Sequence, residues 1–274
     1  MGGELYRELR SSLLLDEPVA LVTVTAVQGE AEGHTELAAK VLVWPDGRSL
    51  GSLGDPELDR IAKRDALAAL ERGLTVTRHY GPCGEARRDE VAVFLEVFAP
   101  AARLIVFGAV DFTRALVGVG KVLGFAVTVC DARPVFATRA RFPLADEIAV
   151  EWPDRYLERV GPELGPRDAI CVLTHDTKFD VPAIMGALRT RVGYLGAMGS
   201  RRTHEKRWER LLEAGADEAE LRERLMSPIG LDIGARTPEE TAVAIFAEMI
   251  ATRTGRAEGV VSSLRTETGP IHRS

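Results

Sequence analysis

The chain has 274 residues, 46% of them hydrophobic and 28% charged, and this length allows two domains of ordinary size. A formal net charge of −6 argues against a polyanionic partner such as nucleic acid. Three cysteines without CxxC spacing predict no disulfide framework or zinc site, and the sequence shows neither a signal-peptide core nor a membrane span, so a cytoplasmic protein is expected.

The first hundred residues predict a small α+β domain. A ProAspGly turn at 45–47 joins two strands as a hairpin, and the helix that follows has a proline near its start and a glycine at its end. The predicted elements are helices at 5–15 and 55–73 and strands at 19–25, 39–43, 74–79 and 90–97. A linker begins at Pro100, so the first domain is predicted to cover residues 1–100.

Residues 101–255 alternate between apolar strands and helices. This alternation predicts parallel strands joined by right-handed crossovers, hence a Rossmann-like, doubly wound α/β domain. Strands are predicted at 103–108, 125–131, 147–150, 169–174 and 191–195, and helices between 109 and 124, at 153–160, 179–188 and 201–214, near 221, and from 237. The polar residues 256–274 are predicted to be a disordered tail.

Ligands of an open parallel sheet bind beyond the carboxyl ends of its strands, so the turns that follow the strands are candidate sites. The first turn matches a GxGxxG dinucleotide loop only at Gly108, because Val110 and Thr113 replace the later glycines. Asp131, at the end of the second strand, lies where a carboxylate would bind a ribose hydroxyl. The residues leave two interpretations open: a nucleotide site, or a structural arrangement in which Asp131 caps a turn before Arg133.

Two later turns also have two interpretations each. ThrHisAsp at 174–176 ends the fourth strand, where His175 and Asp176 would shuttle a proton, bind a metal, or only cap the next helix. Asp232 lies in a glycine-punctuated loop that would close over a ligand or form a buried connection. Thr237, followed by ProGluGlu, is predicted to be the N-cap of the last helix.

The turn after the fifth strand, GlyAlaMetGlySerArgArgThr at 196–203, combines small residues with two arginines at a helix start. Backbone amides, the helix dipole and the side chains of Ser200, Arg201 and Arg202 predict an anion cradle for a phosphate, with Gly199 allowing close approach. The alternative is a helix capped by Ser200 whose arginines make exposed ion pairs.

Several of these motifs together resemble the xanthine dehydrogenase accessory protein family of the XdhC/CoxI type. The resemblance is carried by GSRRT at 199–203, PIGLDIGA at 228–235 and TPEE at 237–240, with ThrHisAsp and the strand to Asp131 and Arg133 upstream. In the first half it is carried by LVWPDGRSLGSLG at 42–54 and by the CysGly at 83–84. It covers nearly the whole chain, to about Thr254.

The resemblance implies a chaperone that binds the molybdenum cofactor, as molybdopterin or its cytosine dinucleotide, and assists its sulfuration. Such a chaperone inserts the cofactor into an apo molybdenum hydroxylase of the xanthine or carbon monoxide dehydrogenase type, without need of a turnover reaction. A homodimer is expected, with a cysteine desulfurase as a further candidate partner. The predicted cofactor-binding residues are Gly108, Asp131, Arg133, His175, Asp176, Gly199, Ser200, Arg201, Arg202, Asp232 and Thr237.

Two departures from the family predict a divergent member. Glu57 stands where the family has the cysteine of a GlyGlyCys motif, and a carboxylate is a harder and less nucleophilic ligand than a thiolate. The first turn reads GlyAlaValAsp at 108–111 instead of GlyAlaGlyHis. A rival hypothesis, an NAD(P)-dependent oxidoreductase, is disfavoured by Val110 and Asp111, which would oppose a diphosphate; a second rival is a non-catalytic adaptor of the target dehydrogenase.

Overall fold

The computed structural model describes residues 2–31, 35–85 and 88–254, so the predicted tail at 256–274 lies outside the described residues. The chain divides into two compact units, one ending at Pro100 and the other beginning at Ala101. Among the described helices, none has the length and apolar character needed to cross a membrane.

The first unit is an antiparallel sheet with one helix packed on its core face. Its elements are α1 (Gly2–Leu14), β1 (Val19–Val27), β2 (Lys40–Val43), β3 (Ser49–Ser52), α2 (Pro56–Arg72), β4 (Val76–Tyr80) and β5 (Val91–Phe98). The five strands have the order β3-β2-β1-β5-β4. Helix α2 begins where Asp55 accepts hydrogen bonds from two backbone amides and ends at Gly73, which adopts a left-handed conformation. Its apolar face, including Leu58 and Leu70, packs into the core of the unit.

The second unit is an α/β domain of six parallel strands. Its elements are β6 (Arg103–Phe107), α3 (Asp111–Val122), β7 (Ala126–Cys130), β8 (Glu147–Ala149), α4 (Pro153–Val160), β9 (Ala169–Val172), α5 (Thr177–Leu188), β10 (Tyr194–Ala197), α6 (Arg201–Glu213), α7 (Glu218–Arg224), β11 (Leu225–Met226) and α8 (Pro238–Thr254). The strand order is β11-β10-β9-β6-β7-β8, with every adjacent pair parallel.

The sheet is covered by helices on both faces. One apolar cluster holds Leu116 of α3 and Phe246 of α8, and the other holds Ile184 of α5 and Leu211 of α6, so the strands between them are buried on both sides. From β6 the chain winds outward to β8 and then returns to the opposite side of β6 at β9. The predicted doubly wound fold is therefore confirmed, and its switch point lies between β6 and β9.

Two strands differ from the sequence prediction. The fifth parallel strand begins at Tyr194 instead of Arg191, because Gly193 lies so close to the loop before β9 that an added Cβ would be 2.0 Å from the carbonyl oxygen of Pro166. Tertiary contact thus fixes residue 193 in a turn. The two-residue strand β11 pairs with β10 and was not predicted, since so short a segment has no periodicity of its own.

Candidate functional site

The turns that follow β6 and β9 touch each other at the switch point. Gly108 has a φ of +111°, and an added Cβ would lie 2.7 Å from Cγ2 and 3.1 Å from the backbone nitrogen of Thr174. Only glycine fits at this position without displacing a neighbouring backbone. The remaining glycine of the first turn is therefore required by the packing of the two turns, whatever ligand lies above them.

The first turn directs its amides to acceptors of its own chain. The Gly108 amide donates to the carbonyl oxygen of Cys130 at 2.9 Å, and the Val110 amide donates to Oγ1 of Thr113 at 3.3 Å. The Thr113 hydroxyl in turn donates to the Gly108 carbonyl oxygen at 2.5 Å. In a dinucleotide loop such amides face the diphosphate. Here the threonine that replaces the third glycine occupies one of them.

Asp131 is buried beneath the same turn and is bonded on both carboxylate oxygens. Oδ2 accepts from the Ala109 amide at 2.8 Å and from Arg133 Nη2 at 2.8 Å, while Oδ1 accepts from the Arg133 amide at 3.0 Å and from its Nε at 2.9 Å. Burial acts to raise the pKa of Asp131, but the hydrogen bonds from Arg133 and the two amides outweigh it and lower the pKa. Asp131 thus caps the turn before Arg133; its role toward a ligand stays a prediction.

The turn after β9 caps the following helix. Asp176 is the N-cap of α5, where its carboxylate accepts from the Lys178 amide at 3.0 Å, and both His175 and Asp176 are exposed at the carboxyl edge of the sheet. Within residues 2–31, 35–85 and 88–254, no group of three or more histidine, cysteine or carboxylate side chains is placed to hold a metal ion. His175 therefore has no companion ligands there, and its contact with a cofactor stays a prediction.

A buried ion pair beneath these turns escaped sequence analysis. Asp180 of α5 accepts from Nε and Nη2 of Arg207 of α6 at 3.0 and 2.8 Å, and the two side chains are only 2% and 1% exposed. Arg207 also donates to the Met198 carbonyl oxygen at 2.7 Å and to Ser227 at 3.3 Å, while the Thr174 hydroxyl donates to Asp180. The pair therefore ties together the turns after β9, β10 and β11.

The predicted anion cradle lies at the start of α6. Ser200 is the N-cap, and its Oγ accepts from the Thr203 amide at 3.2 Å. Arg202 is exposed and Arg201 is half-buried in the first turn, where the positive end of the helix dipole favours an anion. Gly199, with a φ of +151°, leads the chain from β10 into the helix. The capping function of Ser200 is thus observed, and anion binding stays a prediction.

The loop from Ser227 to Thr237 is fixed from below by a carboxylate that sequence analysis missed. Glu248 of α8 is buried, and its Oε2 accepts from the Gly230 amide at 2.9 Å and from the Tyr194 hydroxyl at 2.7 Å. Asp232 is half-buried within the loop. The anchor of the connection therefore includes a glutamate 18 residues further along the chain.

Thr237 is the predicted cap of α8 and forms a reciprocal box with Glu240. Its hydroxyl accepts from the Glu240 amide at 3.2 Å, and Oε2 of Glu240 accepts from the Thr237 amide at 3.1 Å and the Arg236 amide at 2.7 Å. These backbone hydrogen bonds, led by that of Arg236, lower the pKa of Glu240. Because the Thr237 hydroxyl serves the helix, a role for it in cofactor binding stays a prediction.

The first unit presents Glu57 and Cys83 near each other. Glu57 lies in the first turn of α2 and pairs with Arg60 at 2.5 Å, and Gly84, beside Cys83, packs so tightly on α2 that an added Cβ would be 3.4 Å from the Leu58 Cα. Partial desolvation raises the pKa of the exposed Cys83 thiol, and the carboxylates of Asp55, Glu85 and Glu57 add to the effect. The thiol is accessible but disfavoured as a thiolate.

The strand order and the position of these turns define the second unit as a Rossmann-type ligand-binding domain. The predicted cofactor-binding residues all follow strands of the sheet at its carboxyl edge or lie in the loop that leads to α8.

The comparisons with known proteins identify the family. A model described as the XdhC Rossmann domain matches residues 104–249, and one described as the XdhC and CoxI family matches residues 13–81. The chain belongs to the XdhC and CoxI family, as its motifs predicted.

Three curated relatives are similar to this chain. A protein of Bacillus subtilis named as a probable xanthine dehydrogenase component is 35% identical over 161 residues, which are 59% of this chain and 46% of that protein. The uncharacterised protein YqeB of Escherichia coli is 25% identical over 89% of this chain and 45% of its own. The molybdenum cofactor insertion chaperone PaoD of Escherichia coli is 24% identical over 59% of this chain and 43% of its own. The chain thus spans under half the length of each.

A solved structure described as a xanthine dehydrogenase from Bacillus halodurans has the same fold. It superposes with a TM-score of 0.51 at 22% sequence identity, over 92% of this chain and 96% of that one.

Proposed function

We propose that this protein is a maturation factor that binds the molybdenum cofactor and inserts it into an apo molybdenum hydroxylase of the xanthine or carbon monoxide dehydrogenase type. The observation that carries the proposal is the cationic start of α6, where Ser200, Arg201 and Arg202 lie at the ligand-binding edge of a Rossmann-type sheet. The similarity to a protein named as a molybdenum cofactor insertion chaperone supports it.

The side chains at this edge fit the phosphate of such a cofactor. Two guanidinium groups in the first turn of α6 supply charged donors, and the helix dipole adds a favourable field for a phosphate. Arg133, His175, Asp176 and Asp232 would then face the remainder of the cofactor. In contrast, the amides of the first turn are bonded to Cys130, Asp131 and Thr113, which favours a cofactor carrier over an NAD(P)-dependent oxidoreductase.

Sulfuration under this proposal uses sulfur delivered by a partner. Cys130 and Cys171 are buried, and desolvation raises the pKa of both thiols, that of Cys130 to about 12. Neither thiol of the second unit is thus suited to attack or to carry sulfur. A cysteine desulfurase is the class of enzyme that would supply it, while this protein holds the cofactor; the cytoplasm and a homodimer are part of the same proposal.

The test is direct binding of the cofactor. Purified protein is mixed with molybdenum cofactor released from a molybdenum enzyme, and the molybdenum and pterin retained after gel filtration are quantified. Replacing both Arg201 and Arg202 by alanine removes two charge-assisted contacts, and we expect affinity to fall by about tenfold or more. Arg210→Ala, which removes an exposed arginine near the end of the same helix, is the matched control. Equal retention by all three proteins would refute the assignment.

A further inference from the structure

A row of aromatic rings and one guanidinium lies along the carboxyl edge of the sheet. Trp152, which precedes α4, stacks on Phe179 of α5 with ring centroids 4.7 Å apart and an interplanar angle of 11°. The guanidinium carbon of Arg133 lies 5.6 Å from the Phe179 ring and 4.6 Å from the ring of Phe136. We call Trp152, Phe179, Arg133 and Phe136 the aromatic row.

The row is assembled from three separate crossovers. Arg133 and Phe136 follow β7, Trp152 follows β8, and Phe179 lies in the first turn of the helix after β9. Arg133 is held in place by the buried Asp131, to which it donates from Nε and Nη2. Its guanidinium therefore has a fixed position, and its charge is paired before any ligand arrives.

The row remains open to solvent although it is made of side chains that usually gain by burial. Trp152 is 43% exposed, Phe136 is 41% exposed, and the side chain of Arg133 is 44% exposed. Aromatic faces and guanidinium planes bind flat rings by stacking and by cation–π attraction, and they gain from losing water. An exposed stack at the ligand-binding edge is thus a surface for a flat ring.

We propose that the aromatic row is the stacking platform for the planar, nitrogen-containing ring of the bound cofactor. This inference rests on the proposed function and names the part of the site that takes the ring, either the pterin or the base of a dinucleotide form. The row begins above β7 and the arginines of α6 lie above β10, three strand spacings or about 14 Å away. One extended ligand can therefore lay its ring on the row and its phosphate against α6.

The test uses the full chain and two small probes, neopterin and CMP. Each is titrated while tryptophan fluorescence is followed, since a ring stacked on Trp152 quenches its emission. The chain has three tryptophans; Trp44 is buried in the first unit, and Trp208→Phe removes the other one outside the row. We expect neopterin, CMP or both to quench Trp208→Phe and not Trp152→Phe, and Phe136→Ala to weaken binding by about fivefold to a hundredfold.

The outcomes separate this inference from the proposed function. Quenching by neopterin alone assigns the platform to the pterin, and quenching by CMP alone assigns it to the base. Absence of quenching by both, or the same loss in Trp208→Phe as in Trp152→Phe, would overturn the inference. If Trp152→Ala retains the intact molybdenum cofactor as well as the parent protein does, the platform is wrong while the proposed function stands. If the parent protein retains no intact cofactor but binds neopterin through Trp152, the proposed function fails and the platform stands.

Discussion

The buried pair of Asp180 and Arg207 provides the sharpest test of the forces that hold the sheet edge together. Asp180→Asn keeps the size of the side chain but leaves the guanidinium of Arg207, which is 1% exposed, without a counter-charge. Arginine does not release its proton inside proteins, so the charge cannot be removed by titration. We expect this substitution to lower the free energy of unfolding by about 3–5 kcal/mol, a large share of the roughly 5–15 kcal/mol typical of a domain.

The reverse substitution, Arg207→Met, should behave differently with pH. Burial raises the pKa of Asp180, and Arg207 and Thr174 oppose this rise in the parent protein. Without Arg207 the folded-state pKa moves further above the unfolded value of 3.8. A raised folded-state pKa means that the folded chain binds the proton more tightly, so stability falls as pH rises through the window between the two values. Arg207→Met should therefore recover stability between pH 7 and pH 5.

The assay is urea unfolding of the full chain at both pH values, followed by the fluorescence of the two tryptophans of the second unit. Arg210→Met removes an exposed arginine of the same helix, whose ion pair with Glu213 is worth about 0–1 kcal/mol, and serves as the control. A cost of Asp180→Asn no larger than that of the control would refute the predicted role of the pair. So would an equal loss of free energy in Arg207→Met at pH 5 and at pH 7.

Two further predictions use single positions. Gly108→Ala should cost about 1–3 kcal/mol, because its φ is positive and the new methyl would meet Thr174, whereas Gly118→Ala in α3 meets no atom within 4 Å and should stabilise the helix by about 0.5–1 kcal/mol. Thermal unfolding decides this, and equal shifts would contradict it. Iodoacetamide should label only Cys83 in the folded protein, at a rate still rising above pH 9.0, and Glu85→Gln should accelerate labelling at pH 8; labelling of either buried thiol would contradict the burial given for them.

The C-terminal fold was predictable because its signals are local. The alternation of apolar strands with helices required no knowledge of the pairing, and α4 has the predicted bounds of Pro153 and Val160. The start of α6 was also correct, since a serine N-cap is written in the sequence. Strand β10 was shifted, because contact of Gly193 with the Pro166 carbonyl sets where its pairing begins.

The site was predictable only where partners are close in sequence. The bond of Asp131 to Arg133 spans two residues and could be anticipated, whereas Asp180 and Arg207 are 27 residues apart and meet only after α5 and α6 pack. The aromatic row is likewise invisible in the sequence, because Trp152 and Phe179 belong to different crossovers. One available signal was Arg207 itself, which shares a helix face with the buried Leu211 four residues later.

The internally bonded first turn has a consequence for how cargo would be loaded and released. A turn ordered by Asp131 and Thr113 reaches its folded shape in the empty protein, so no ligand is needed to complete it. Ligands that bind only the folded state raise melting temperature by mass action, and a turn whose donors are already bonded offers nicotinamide nucleotides no such linkage. A carrier built in this way can give up its cargo to a recipient enzyme without losing the order of its own binding edge.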